Sequence, residues 1–466
     1  MPETREFDLV IIGGGSGSSI ISRDLSHLTI ALIDDGEHFG GTCLNAGCIP
    51  TKMFVHVADV AADALAAKQL GLEVPTATAD WRALRDRVFG RIDHLSAAGF
   101  RNRDQKIPNV TVFRETFHFS AVHELVSSGG MTISAPKIVI AAGSRPRSLS
   151  WTSSPGVLDS DSIMRIDELP DSIVIVGGGA IAAEFAHVFH SFGVAVTQVV
   201  RSARLLNDLD DDVADRFTSV VPWRVITGAS VAFVESGLVT LESGETVTAA
   251  LVLSAIGRVA NTDTMALSVA GFDLHPDGRL AVDPYQRVLA GGVPVDGVFG
   301  LGDISSEWQL KHVANHEARV VRHNILNPDD LIGGGPGPIP AAIFSHPQVA
   351  HFGVTEREAP DAISVSRAYS TTAWGWSLED TTSFCKLVVD PSSGHILGAH
   401  IIGPEAIILI QTLVQAASHR LSVRGLARSM YWPHPAASEV VENALLDAEH
   451  QLNLRHANQR TVEEQK

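Results

Sequence analysis

The sequence predicts an α/β protein made of two Rossmann-like dinucleotide-binding domains followed by a C-terminal α+β domain, and three observations carry that reading. A short apolar run, Phe7–Ile12, stops at Gly13-Gly14-Gly15, which is how a buried strand enters a tight turn. About 160 residues later the pattern returns as Ile173–Val176 running into Gly177-Gly178-Gly179. That interval is too long for a solenoid repeat and suits a duplicated nucleotide-binding unit. From Ile339 onward strand and helix patterns mix, with Phe384–Val389 reading as a strand and Glu405–Ala417 as a helix.

A chain of 466 residues is long enough for roughly three domains. Its formal charge is -18, with 53 acidic against 35 basic residues. Nucleic-acid binding wants a basic face, and an anionic membrane surface attracts the same, so neither partner is expected. Apolar stretches such as Ile173–Ala183 fall short of the roughly 20 residues of a spanning helix. The opening Met1–Asp8 is polar and charged and shows no secretory apolar region. A cytoplasmic protein is therefore expected. Three cysteines cannot build a structural disulfide framework, and in a reducing compartment a close pair points to catalysis or metal binding.

Within the first unit, Thr29–Ile33 reads as a strand ending at Asp34, Lys52–Ala67 as an Ala- and Val-rich helix, and Ile138–Ala142 as a strand closed by Gly143-Ser144-Arg145-Pro146. The Ser- and Pro-bearing Ser148–Pro155 reads as a linker. Val194–Val200 is the second strand of the second unit. Gly292–Gly302 leads to Asp303 and returns to the style of the first unit, and Gly333-Gly334-Gly335-Pro336-Gly337-Pro338 marks a boundary. The domains are accordingly placed at 1–150, 151–265, 266–337 and 338–466. The polar tail after Ala448 is expected to fray.

Gly13, Gly15 and Ser18 occupy the positions of G-x-G-x-x-G, with serine replacing the last glycine. The first glycine permits the turn, the second lets backbone approach a pyrophosphate, and the third keeps helix and strand close. The pyrophosphate is expected at a helix N-terminus. Asp34, about 20 residues on, is placed to accept a ribose hydroxyl. A glycine-rich turn without ligand is the alternative, and strand, turn and acid in register count against it. The second unit has Gly177, Gly179 and Ala182, and its second strand ends in Arg201 with Arg204 following. Arginine can pair with a 2′-phosphate that a carboxylate would repel. NADPH is expected over NADH, with an ordinary loop arginine as the other reading.

Cys43 and Cys48 lie in Gly-Gly-Thr-Cys-x4-Cys-Ile-Pro-Thr-Lys, residues 40–52, and read as a thiol–disulfide couple. A disulfide needs Cα atoms roughly 4.4–6.8 Å apart. Extended chain would separate them by about 17 Å and a regular helix by about 7.5 Å. They can bridge only across a distorted, tightened helical turn, for which Gly47 supplies freedom. Zinc is the other chemistry, yet no second Cys or His pair with ligand spacing stands nearby, so no metal is expected. Cys385, inside an apolar strand, reads as a packing residue.

Near the end, Pro433 and Pro435 stiffen the backbone around His434, and Ser438 and Glu439 open a helix, Val440–Glu449. Glu439 can turn back toward the imidazole and raise its basicity, making His434 a proton donor to a leaving thiolate. Read alone, His434 is better taken as an ordinary helix-cap neighbour. The cysteine pair gives the proton donor a task.

Together these motifs resemble the flavin-dependent pyridine-nucleotide disulfide oxidoreductases from Phe7 to about Ala448. The resemblance implies that Gly13, Gly15, Asp34 and Thr42 bind FAD, that Asp303 meets the ribityl chain, and that Ala142, Gly143 and Ser144 form the middle flavin motif. It pairs Lys52 with Glu184 beside the flavin ring, and lines the NADPH site with Gly177, Gly179, Arg201 and Gly257. Asn207 stands where some members carry a second arginine, which Arg204 would replace. It makes Cys48 the thiol next to the flavin and Cys43 the exchange thiol. His434 would act on the partner subunit's site in an obligatory homodimer whose interface starts near Pro338. Thr51–Val55, Leu310–Arg319 and Gly375-Trp376 with Glu379-Asp380 look like members acting on mycothione, so NADPH-dependent reduction of that small disulfide is implied. Dihydrolipoamide dehydrogenase activity with NAD, and a non-catalytic flavin-binding scaffold or redox sensor, are the other readings.

Overall fold

The computed structural model describes residues 4–74, 78–335 and 337–464. Pro336 of the glycine–proline boundary, and residues 1–3 of the polar start, lie outside the described residues. The chain is α/β, as its apolar pattern requires. Leu9–Ile12, wholly buried, pairs in parallel with Ile30–Ile33 on one side and Lys137–Ile140 on the other. A strand covered on both faces reads as an unbroken apolar run. Val110–Phe113 extends the sheet beyond Ile30–Ile33. Val293–Gly300 joins Lys137–Ile140 from the far side, so the chain comes back to its first sheet after building the second unit.

That second unit is a five-stranded parallel sheet in which Ser172–Val176 lies between Leu251–Ser254 and Ala195–Val199. The duplication holds at the level of single atoms. The Gly13 amide donates to the Ile33 carbonyl at 2.8 Å, and the Gly177 amide to Val199 at 2.9 Å. Gly13 has φ +114 and Gly177 φ +137, and a Cβ on either would lie 2.2 Å from the carbonyl oxygen of Ala141 or Ala255 respectively. Only glycine fits there.

The C-terminal region is a five-stranded antiparallel sheet, with Phe384–Val389 paired to Ile396–Ile402 and Ile363–Ala368. The helices Ala406–Ser418 and Glu439–Glu464 share its hydrophobic core. No helix among the described residues is long and apolar enough to cross a membrane.

Three expectations are corrected. The first glycine turn does not open a long helix. It leads into short 3-10 turns, Gly17–Ile20 and Arg23–Leu25. Ser18 Oγ donates to the Gly15 carbonyl at 2.9 Å and Ser19 Oγ to Ser16 at 2.6 Å, the backbone competition by which serine disfavours helix interiors. Ser148–Pro155 is no free linker, because Trp151 is buried against Val174 and Val199 of the second sheet. Nor does the tail fray after Ala448. Its helix runs to Glu464, with Leu452 fully buried and Arg455 donating to the Asp361 carbonyl at 2.9 Å.

One buried cation fastens the second unit to the C-terminal sheet. Lys386, with a side chain 3% exposed, meets Asp210 at 2.8 Å, Asp212 at 2.7 Å and Glu356 at 2.6 Å. Asp210 is itself 1% exposed. Removing one member of a buried cluster strands the opposite charge. Lys386→Met is expected to cost about 3–5 kcal/mol in chemical unfolding, and a loss under about 1 kcal/mol would show that this cluster does not hold the two parts together.

Candidate active site

The thiol loop is built by a helix that breaks and restarts. Gly41–Asn45 forms one turn, Ala46 and Gly47 leave helical geometry, and Cys48–Ala66 resumes. A Cβ on Gly47 would lie 3.0 Å from the Thr42 carbonyl oxygen, tighter than side chains tolerate without adjustment. The Asn45 side-chain amide donates to the His38, Phe39 and Gly41 carbonyls at 3.2, 3.1 and 3.1 Å. These bonds fix the segment that carries Cys43.

The break brings the two sulfurs into hydrogen-bonding contact. Both cysteines are free thiols here, the reduced form of the expected thiol–disulfide couple. Cys43 holds its proton tightly, because it donates to Cys48 and is desolvated. Cys48 is pulled down to about 6, chiefly by accepting that hydrogen bond, with the Lys52 charge assisting. One sulfur is thus a thiolate and its neighbour the proton donor. Cys385 is fully buried and pushed up to about 12 by desolvation, consistent with packing.

Lys52 Nζ meets Glu184 Oε2 at 2.7 Å. Glu184 stands in the buried first turns of Ala180–Ser191, and its other oxygen accepts from the Phe344 amide at 3.0 Å. The Phe344 ring lies 4.4 Å from Lys52 Nζ, a cation–π contact. Further along the same two helices, His187 contacts Asp59 at 2.7 Å.

At the first glycine turn, Asp34 ends its strand with Oδ1 accepting from the Gly36 amide at 3.0 Å. Oδ2 is buried without a hydrogen-bond partner, and burial raises the carboxyl above its usual range. A Cβ on Gly14 would lie 2.0 Å from that oxygen. Beside the turn is a cavity of about 230 Å³ lined by Gly14, Gly15, Ser18, Gly40 and Arg103 among others. An orphaned acceptor next to a glycine-walled cavity fits a ribose hydroxyl and a dinucleotide. Thr42 stands in the same thiol turn. Ala142 and Gly143 are held by Asn261, whose side chain donates to Ala142 at 2.8 Å and whose amide donates to Gly143 at 3.0 Å. Ser144 Oγ donates to Asp303 at 2.7 Å, joining the middle and late motifs.

The second glycine turn is more open. A Cβ on Gly179 meets nothing within 4 Å, Gly257 has φ +103, and Ala180–Ser191 is a full helix. Arg201 is exposed and forms no ion pair among the described residues. Arg204 departs from expectation: its guanidinium is taken by Asp211 and by Asp215, the latter at 2.9 Å. It offers far less to a phosphate than Arg201 does.

His434 is 71% exposed, with Nδ1 3.3 Å from Glu439 Oε1. Glu439 is buried and also accepts from the Ala436 amide at 2.9 Å, which holds its carboxylate under the imidazole. Among the described residues, no hydrogen bond or ion pair joins His434 to the cysteines of its own chain. The exposed Tyr431 lies close by in sequence, and Trp376 and Ile408 add exposed apolar surface to the same C-terminal region. Sequence reasoning assigned no role to Lys311, whose Nζ donates to Ser16 Oγ at 2.8 Å, nor to Arg103, whose guanidinium donates to the Ser18 carbonyl at 3.2 Å. Arg103 is one of three basic residues in the polar run 101–106, and Lys311 lies in the Leu310–Arg319 run without a role of its own, so their place at the first glycine turn is visible only once the chain is folded.

Comparison with known proteins shows the family of the chain. Residues 7–318 match the pyridine nucleotide-disulphide oxidoreductase family and residues 339–445 match its dimerisation domain. The mycothione reductases of two Mycobacterium tuberculosis strains are 44% identical over 461 residues, covering 94% of this chain and 99% of theirs. A dihydrolipoyl dehydrogenase from Chlamydia pneumoniae is 31% identical, covering 97% of this chain and 99% of its own. The solved HOCl-induced flavoprotein disulfide reductase RclA from Escherichia coli has a TM-score of 0.82 at 25% identity, covering 94% of this chain and 99% of that one. The family's cofactors are FAD and a nicotinamide dinucleotide. This chain belongs to the pyridine nucleotide-disulphide oxidoreductases.

Proposed function

We propose that the chain is an NADPH-dependent flavoprotein disulfide reductase that reduces mycothione to mycothiol in the cytoplasm. For this task we divide it into an FAD-binding domain (1–150 and 266–337), an NADPH-binding domain (151–265) and an interface domain (338–466). The observation that carries the proposal is the asymmetric thiol pair: Cys48 a thiolate with a value of about 6, and Cys43 its proton donor. The 44% identity to mycothione reductases over 94% of the chain supports the substrate.

Bound FAD supplies the two-electron link between NADPH and the thiols. Gly13, Gly15, Thr42, Asp34, Ala142, Gly143, Ser144 and Asp303 hold it, and Lys52, fixed by Glu184, presents a positive charge to its ring. Gly177, Gly179, Gly257 and Arg201 receive NADPH. Because Cys43 is protonated, it needs a base before it can attack. His434 of the partner subunit, oriented by a glutamate, takes that proton. Cys43 then attacks one sulfur of the substrate disulfide. A Cys43–substrate bond forms, the substrate S–S bond breaks, and the departing thiolate receives the proton back from the imidazole. The Cys48 thiolate next attacks Cys43, breaking the Cys43–substrate bond, expelling the second half of the substrate as a thiolate that takes its proton from solvent, and closing the Cys43–Cys48 disulfide. One substrate disulfide is reduced by two electrons and one protein disulfide is formed. A homodimer is required for turnover, in keeping with the dimerisation domain over residues 339–445.

Steady-state assays with mycothione, oxidised glutathione and lipoamide, each with NADPH and NADH, test this. Mycothione with NADPH is expected to give the highest kcat/KM. Turnover confined to lipoamide with NAD would favour a dihydrolipoamide dehydrogenase, and no turnover of any of them a redox sensor. In the same assay Arg201→Leu should raise the KM for NADPH about tenfold or more and leave that for NADH nearly unchanged, while Arg204→Leu should shift either by under about threefold. In the reduced protein, ultraviolet thiolate absorbance should fall as pH drops through about 6, because protonation removes the Cys48 charge. Cys43→Ala withdraws the donor and should move the midpoint toward the free value of about 8.5. A wild-type midpoint already near about 8.5 would contradict the assignment.

A further inference from the structure

The two glycine turns share backbone geometry but lead into different structures. The second opens the twelve-residue helix Ala180–Ser191, whose N-terminal amides and dipole favour an anion. The first opens only a four-residue 3-10 turn, Gly17–Ile20. A dinucleotide carries its diphosphate at such a turn, so the first unit lacks the usual counter-charge. Two cations from distant parts of the chain reach this turn instead. Lys311, the first residue of the helix Lys311–Leu326, donates to Ser16 Oγ at 2.8 Å. Arg103, just after the helix Trp81–Arg101, donates to the Ser18 carbonyl at 3.2 Å and lines the cavity beside Gly14 and Gly15.

Neither cation forms an ion pair among the described residues, although the chain carries a surplus of carboxylates. Each also has donors to spare. An ammonium has three N–H groups, and the one bond described for Lys311 is to Ser16. Arg103 places one bond on Ser18 and one on the Asn102 side chain at 3.3 Å, and its Nε is buried without a partner. A buried donor left without an acceptor is costly, which marks Arg103 Nε as waiting for one.

We propose that Lys311 and Arg103 are a cation pair that holds the FAD diphosphate at the first glycine turn, replacing the helix N-terminus this unit lacks. The inference rests on the flavoprotein reading above. A guanidinium presents a fork to phosphate oxygens and an ammonium a compact charge. Together they offset the charge of a diphosphate at the turn, while the neighbouring Asp34 carboxyl has its own cation in Arg114 at 3.8 Å.

The test is FAD release from the full-length holoprotein, followed by recovery of free-flavin fluorescence at rising sodium chloride. Release should quicken with salt in the wild type. Arg103→Met and Lys311→Met should each release FAD about tenfold or more faster, with a shallower salt dependence. Arg103→Lys and Lys311→Arg should recover most of the difference. Near-ultraviolet circular dichroism checks that each variant is folded, and where one is not, the wild-type salt dependence decides. Salt-independent release from the wild type, or wild-type release rates in both methionine variants, would overturn the proposal while leaving the flavoprotein reading intact. A wild-type protein that purifies colourless and takes up no FAD would remove both.

Discussion

The ion pair between Lys52 and Glu184 is the constraint on which the arrangement depends. Its partners lie 132 residues apart and meet at 2.7 Å. Lys52 stands one helical turn beyond Cys48, so whatever fixes the lysine fixes the thiolate. Glu184 belongs to the second unit, and its other oxygen is anchored by the Phe344 amide at the entrance to the C-terminal region. One carboxylate thus ties together the thiol helix, the second unit and the region that carries the dimerisation domain. Glu184 is 7% exposed. A buried carboxylate without its cation would cost several kcal/mol, so this pairing is enforced as well as observed.

The thiol chemistry arises from the same geometry. A helix that ran unbroken through Cys43 and Cys48 would keep the sulfurs apart. The break at Ala46 and Gly47 closes that distance, and Asn45 holds the shortened turn in place. Within the pair the proton is shared unequally. Cys48 has the Lys52 charge near it, whereas Cys43 is desolvated and gives its hydrogen bond away. A lone chain therefore has a stabilised thiolate and a thiol in need of a base. The exposed imidazole of His434 has the complementary need, being backed by Glu439 and open to solvent on its other side. In the proposed mechanism, two half-sites of this kind would be completed when two chains meet, in keeping with the dimerisation domain matched over residues 339–445.

Much of the fold was legible in the sequence because buried parallel strands are continuous apolar runs that stop at glycine. Ile173–Val176 and Phe384–Val389 were readable to within a residue for that reason. The thiol loop and the Lys52–Glu184 pair were legible through motif resemblance, not through periodicity. What escaped was decided by tertiary contacts. The G-x-G-x-x-S pattern suggests a helix, but successive serines bind their own backbone and end it within a turn. Arg204 suits a phosphate until Asp211 and Asp215, presented by the following helix, claim it. The polar tail conceals Leu452, a buried side chain that continues the face on which Val440, Val441, Ala444, Leu445 and Ala448 dock the last helix. The redox state of a cysteine pair is not written in the sequence at all.

The central claim is that Cys43 and Cys48 exchange between dithiol and disulfide at the expense of NADPH. Anaerobic addition of NADPH to the oxidised holoprotein, followed by alkylation and peptide mass mapping, tests it directly. The account predicts that alkylation appears on both Cys43 and Cys48 only after reduction, while Cys385, buried in its strand, stays unlabelled in the folded protein. Labelling of both cysteines before NADPH is added and unchanged afterwards, or of neither at any stage, would contradict it.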